Sequence, residues 1–181
     1  MKKILLGMSL ICLLVGQINA VTGLVNLGFD LPWGATVRYE HNVNDRGVGG
    51  SFSTVDIDFL GTTISIKSIG ASYTFYSNSA FKGFYFGPAI AFRQIKLTEE
   101  VSVVTPLGLV TNLVDAEVNL IDPHVNLGYS FLIADRVNLR LGGKVGYGLG
   151  SLKVNSGTES DFSYNPTGLT YALTSSIGFV F

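Results

Sequence analysis

Nucleophilic or metal chemistry needs side chains in company, and this chain has few that qualify. Its histidines are His41 and His124, and its one cysteine is Cys12. A Ser–His site for hydrolysis or acyl transfer requires a hydroxyl within reach of its base. The nearest candidate is Asp122-Pro123-His124 with Ser130, where Asp122 and His124 alternate onto one face of an extended segment. Ser130 is six residues from His124, roughly 20 Å at strand rise. The three do not meet on one strand, and His124 reads as a polar residue of an interior. His41 falls beside the turn at Asn42 to Arg46. No catalytic site, cofactor or metal is expected.

The start of the chain has to be set aside before any fold is argued. Lys2 and Lys3 are followed by an apolar run, Ile4 to Val15, interrupted only by Gly7 and Ser9, which softens into Gly16-Gln17-Ile18-Asn19-Ala20. This is the pattern of a secretory signal peptide, with cleavage expected after Ala20. The run is shorter than the roughly 20 apolar residues of a membrane helix. A lipoprotein signal at Cys12 would need a small residue before the cysteine, where Ile11 stands. The remaining residues, 21–181, read as one domain without a linker. They contain no cysteine, so disulfides and thiolate metal sites are excluded. Without Lys2 and Lys3 the 12 basic residues become 10 against 13 acidic ones. With no run of like charge, no nucleic-acid partner is expected.

The elements must reconcile two facts. Charged residues make up only 14% of the chain and its mean hydropathy is +0.40, yet nothing after the leader has the length of a spanning helix. The other structure able to satisfy its backbone inside a bilayer is a closed β-barrel. Alternation agrees. Val137, Leu139, Leu141, Val145, Tyr147 and Leu149 face one way, and Arg136, Asn138, Arg140 and Lys144 the other. Val125, Leu127, Tyr129, Phe131 and Ile133 repeat the pattern, as do Leu169, Tyr171, Leu173, Ile177, Phe179 and Phe181. Turn signals divide the rest, giving eight strands near 22–29, 34–41, 47–59, 62–76, 83–97, 116–133, 136–149 and 168–181. Alternation slips within 51–59 and near 67–69, where bulges are expected. The expected fold is an all-β, eight-stranded antiparallel up-and-down transmembrane β-barrel. A soluble, lipocalin-like barrel is the alternative, with the apolar face lining a cavity. Low charge and the aromatics near one rim, Tyr73, Phe75, Phe84, Phe86, Phe131, Phe179 and Phe181, favour the membrane form.

With its leader, eight amphipathic strands and the ending Tyr171-Ala-Leu-Thr-Ser-Ser-Ile-Gly-Phe-Val-Phe181, the chain resembles the small bacterial outer-membrane barrels of the OmpA, OmpX and opacity-protein type. The resemblance covers nearly all of residues 21–181. It implies a Gram-negative outer membrane, with lipid and lipopolysaccharide around the barrel. It also implies an assembly signal at Tyr171, Leu173, Ile177, Phe179 and Phe181, read by the barrel-assembly machinery. Both ends of the barrel are then assigned. Short connections at 42–46, 76–82 and 134–135 face the periplasm, and the long ones, 98–115 and 150–167, face outward. Function does not follow, because such barrels serve as adhesins, anchors and lipid-modifying enzymes.

Two regions carry the functional expectation. The inward set is expected to be Arg38, Glu40, Asp56, Asp58, Arg93, Glu117, Arg136, Arg140 and Lys144, five cations and four anions that pair and fill the lumen. The segment Thr98 to Asp115 holds Val101, Val103, Val104, Leu107, Leu109 and Val110 around Thr105-Pro106-Leu107-Gly108, a turn with proline in its second position. It reads as a hairpin standing beyond the membrane, either meeting an extracellular ligand or surface, or folding over the mouth as a lid or lying against lipopolysaccharide. A non-enzymatic structural or surface-interaction role is expected first. A narrow channel for small solutes or hydrophobic molecules comes second, and a lipid-A-modifying enzyme third.

Overall fold

The computed structural model describes residues 23–59, 62–105, 108–155 and 162–181. The expected leader, residues 1–20, lies outside them. Nine strands follow in order: β1 (Gly23–Leu31), β2 (Gly34–Val43), β3 (Arg46–Phe59), β4 (Thr62–Tyr76), β5 (Gly83–Thr105), β6 (Gly108–Ile133), β7 (Val137–Asn155), β8 (Phe162–Tyr164) and β9 (Thr167–Val180). Each of β1 to β7 pairs antiparallel with the next. β9 pairs with both β7 and β1, so that eight strands close a ring. β8 is a three-residue strip paired only with β7.

Tight turns at the end where β1 begins and β9 finishes place Asn44 and Asp45, and again Ala134 and Asp135, at positive φ. That conformation suits the twist of a hairpin and is tolerated best by Asn and Asp. The third connection at this end, residues 77–82, folds inward instead. Phe81, at φ 65, packs its ring on Leu24 and Val180 and makes an apolar plug. Its carbonyl is held by the Ser130 hydroxyl at 2.6 Å and by Asn138 Nδ2 at 2.8 Å. The β3–β4 ladder runs without interruption from Arg46↔Phe75 to Phe59↔Thr62. The bulges expected at 51–59 and 67–69 are absent, because the slip in alternation has another cause.

That cause is a reversal of the two faces. Over most of the ring the outer face is apolar: Leu27, Phe29, Val37, Phe52, Ile90 and Leu127 are among many large side chains left exposed. The inner face is polar or charged, with Asn26, Arg38, Glu40, Arg93, Asp122 and Arg140 buried. On β6 the apolar band runs from Ile121 to Ile133, which is twelve residue steps. At a rise of about 3.3 Å per step and a tilt of about 45°, the band stands roughly 28 Å tall, the height of a bilayer's hydrocarbon. A lipocalin-like barrel with an apolar interior is excluded by this inside-out arrangement.

The upper edge of the band is a row of directly paired neighbours, Phe52↔Ile69↔Phe92↔Ile121↔Leu149. Above it the strands continue and the faces exchange character. Thr54↔Lys67↔Gln94↔Asn119↔Ser151 and Asp56↔Ser65↔Lys96↔Glu117↔Lys153 now form the outer face. Val55↔Ile66↔Ile95↔Val118↔Leu152 forms the inner one. β1 ends at Leu31 and β2 starts at Gly34, so this extension is a wall on one side of the mouth. Among the described residues, no helix is long and apolar enough to cross a membrane.

Candidate functional site

The lumen is built in layers, each supplied by inward positions of several strands. Nearest the plug, Arg140 (β7) reaches Glu40 (β2) through two parallel bonds, Nη1 to Oε1 at 2.6 Å and Nη2 to Oε2 at 2.9 Å. The Tyr76 hydroxyl donates to the same carboxylate at 2.5 Å. The guanidinium lies 5.3 Å from the Tyr76 ring centre and 5.0 Å from that of Tyr85. A forked pair flanked by aromatic faces is the arrangement in which a buried arginine is best compensated. Tyr85 crosses the lumen because two facing residues are glycine. A Cβ on Gly142 would stand 2.3 Å from its hydroxyl, and one on Gly128 2.7 Å.

Higher up, Lys144 is paired with Asp30, and Arg93 with Asp122 at 2.5 Å. Asp122 also accepts a hydrogen bond from the Thr170 hydroxyl. His124 Nδ1 lies 2.9 Å from the Asp122 backbone carbonyl and 3.4 Å from its carboxylate. Trp33, in the β1–β2 connection, lies over Arg93 at 4.0 Å and covers this layer from the mouth. Among the described residues no group of three or more His, Cys, Asp or Glu is placed to hold a metal ion.

Of the expected lumen charges, Arg38, Glu40, Arg93, Arg140 and Lys144 are buried inside. Four are elsewhere. Asp56, Asp58 and Glu117 lie on the outer face of the wall, paired in register with Ser65, Thr63 and Lys96. There water rather than hydrocarbon meets the outer face, so polar side chains belong on it. Arg136 is an exposed turn residue at the terminal end, where the chain reverses before β7 begins. Two carboxylates that hold the network together, Asp30 and Asp122, were missing from that set, and so was Trp33. Parity reaches both carboxylates: Asp30 shares the even positions of Asn26, and Asp122 those of His124, the face that the sequence already assigns to an interior. Trp33 sits in a connection and carries no such signal.

Ser130 bonds to Phe81 and Asn138 beside the plug, while His124 bonds to Asp122 in the upper layer. The Ser–His–Asp set is therefore not assembled. Tyr171, Leu173, Ile177 and Phe179 project from the outer face of β9, each more than half exposed, and Phe181 closes against Gly23 through two backbone hydrogen bonds of 3.0 Å. Arg46 donates to the Tyr73 hydroxyl at 2.9 Å and lies 5.3 Å from the Phe75 ring centre at the terminal rim. In the hairpin, β5 and β6 remain paired up to Thr105↔Gly108. Val101, Val103, Val104, Leu109 and Val110 are on these strands, with side chains outside the description, as is Leu107 altogether.

The outer face of the wall has its own polar cluster. Glu117 accepts hydrogen bonds from Asn119 Nδ2 and Gln94 Nε2, both at 2.9 Å, and faces Lys96 at 3.5 Å. The bonds from Asn119 and then Gln94 hold its carboxyl below the usual value.

No family model matches the chain, and no curated protein matches its sequence. Three solved structures resemble it in outline. CarO2 of Acinetobacter baumannii is 16% identical, with a TM-score of 0.48 over 92% of this chain and 100% of that one. CarO of the same organism is 13% identical, with a TM-score of 0.47 over 92% and 100%. The N-terminal β-barrel domain of Pseudomonas aeruginosa OprF is 8% identical, with a TM-score of 0.40 over 89% and 96%. At these values the likeness brings neither ligand nor activity to this chain.

Proposed function

We propose that this chain is a non-enzymatic outer-membrane barrel, set in lipid and lipopolysaccharide, that works through the wall standing above its mouth. The observation that carries the reading is the continuation of β3 to β7 as paired strands past the apolar band, with polar residues turned to water. A barrel serving only to anchor itself gains nothing from strands of 23 and 26 residues, more than twice the roughly 9–11 that cross a membrane. On this reading the end where β1 begins and β9 finishes faces the periplasm. Tyr171, Leu173, Ile177, Phe179 and Phe181 serve assembly, and the wall and its hairpin meet an extracellular ligand or surface.

A channel is the lesser reading because the lumen is crossed by ion pairs at two levels and covered by Trp33. Replacing residues 98–115 by a two-residue Asn-Gly turn should leave a barrel that still shifts on heating in cold gel electrophoresis, and should abolish binding to cells, matrix or lipopolysaccharide. In planar bilayers the intact protein should give no steady conductance. Steady openings, with binding unaffected by the replacement, would move the function to the lumen.

A further inference from the structure

The lumen charges do not balance. Arg38, Arg93, Arg140 and Lys144 face three carboxylates, Asp30, Glu40 and Asp122, and each carboxylate is engaged by one of the other three cations. Among the described residues Arg38 forms no ion pair, although it is only 8% exposed. An unmatched charge inside a barrel surrounded by hydrocarbon is costly. Loss of the Lys144 proton would balance the total but strand the Asp30 carboxylate that Lys144 holds.

The space beside Arg38 is specific. A cavity of about 10 Å³ is lined by Arg38 and Thr36 of β2, Asn26 and Gly28 of β1, Ser176 of β9 and Arg140 of β7. These strands are neighbours, with Arg38 opposite Asn26 and Gly28 opposite both Thr36 and Ser176. Four polar atoms of the residues around the cavity are buried and make no hydrogen bond within the described protein: three that can donate, Asn26 Nδ2, the Thr36 hydroxyl and Arg140 Nε, and one acceptor, Asn26 Oδ1. Buried donors without partners are rare and each demands an acceptor. Asp30 also lines the cavity, its carboxylate committed to Lys144.

We propose that this cavity is a binding site for one monatomic anion, chloride in the cell, held by the Arg38 guanidinium and by the amide, hydroxyl and Arg140 Nε donors. The volume is about that of a single water site, so the space takes one small particle and favours a monatomic anion over sulfate, phosphate or a carboxylate. The anion neutralises the surplus charge and satisfies the donors together. It acts as a structural ion of the barrel, independent of what the wall binds.

The test uses the full chain refolded in detergent micelles and exchanged into sodium gluconate. Sodium chloride or bromide, added at constant ionic strength, should raise the thermal midpoint saturably by several degrees, while sulfate should not. Arg38→Gln should remove the dependence. An equal response to all three salts, or to none, would overturn the site. Crystals grown from bromide decide independently of any variant. An anomalous peak between Arg38 and Arg140 supports the proposal, and a water bridging Arg38 to Asp30 without bromide refutes it.

Discussion

Strand β6 carries one alternation with two opposite meanings. From Ile121 to Ile133 its odd positions are apolar and meet hydrocarbon, while Asp122, His124 and Asn126 point inward. From Asp115 to Asn119 the odd positions are polar and meet water, while Ala116, Val118 and Leu120 point inward. The backbone register is continuous through both stretches. The medium outside decides which chemistry each face carries, and the ladder is indifferent to it. The row from Phe52 to Leu149 is where the medium changes, so the boundary is written in side chains alone.

The same residue type on either side of that boundary gives the sharpest contrast. Glu40→Gln removes the counter-charge of Arg140 and the acceptor of Tyr76, and should cost about 3–5 kcal/mol in urea unfolding of the lipid-embedded barrel. Next in size, Leu127→Arg puts a charge in the middle of the apolar band and should cost about 2–4 kcal/mol in the same measurement. A small effect of Leu127→Arg would place water, not lipid, around the ring. Ile66, 8% exposed on the inner face of the wall, should cost about 2 kcal/mol on Ile66→Ala. The loss should show as faster amide exchange in β3 to β5 above the band and leave the ring below it unchanged. Smallest is Glu117→Gln, below about 1 kcal/mol, since the cluster is part-exposed and screened. The Glu117 carboxyl is held low when folded, so its contribution is complete above the ordinary glutamate value of the unfolded chain. It fades as pH falls through the lower folded value. A melting profile flat in pH for E117Q relative to the parent, above that window and below it alike, would remove the cluster from the account.

Strand number, closure and the direction of the faces within the band were legible, because hydrocarbon on one side and a packed polar interior on the other enforce period two over long runs. The error came from assuming that polar always means inward. Asp56, Asp58 and Glu117 have the parity of Phe52 and Ile121, and keeping that parity above the band puts them outside. Phe81 and Trp33 were not legible at all. Each enters the lumen from a connection, where no period applies, and what draws it in lies on strands remote in sequence: Leu24 and Val180 for Phe81, Arg93 for Trp33.

The plug has a mechanical consequence. Leu24 and Val180 are direct partners across the seam where β1 and β9 meet, and Phe81, from mid-sequence, rests on both. An end strand that peels away therefore uncovers an aromatic ring and loosens the connection between β4 and β5. Fraying, ordinarily the cheapest motion of a terminus, is here tied to a distant turn. The seam is thereby pinned from within, and the ring behaves as a hoop rather than as a ribbon whose two ends happen to touch.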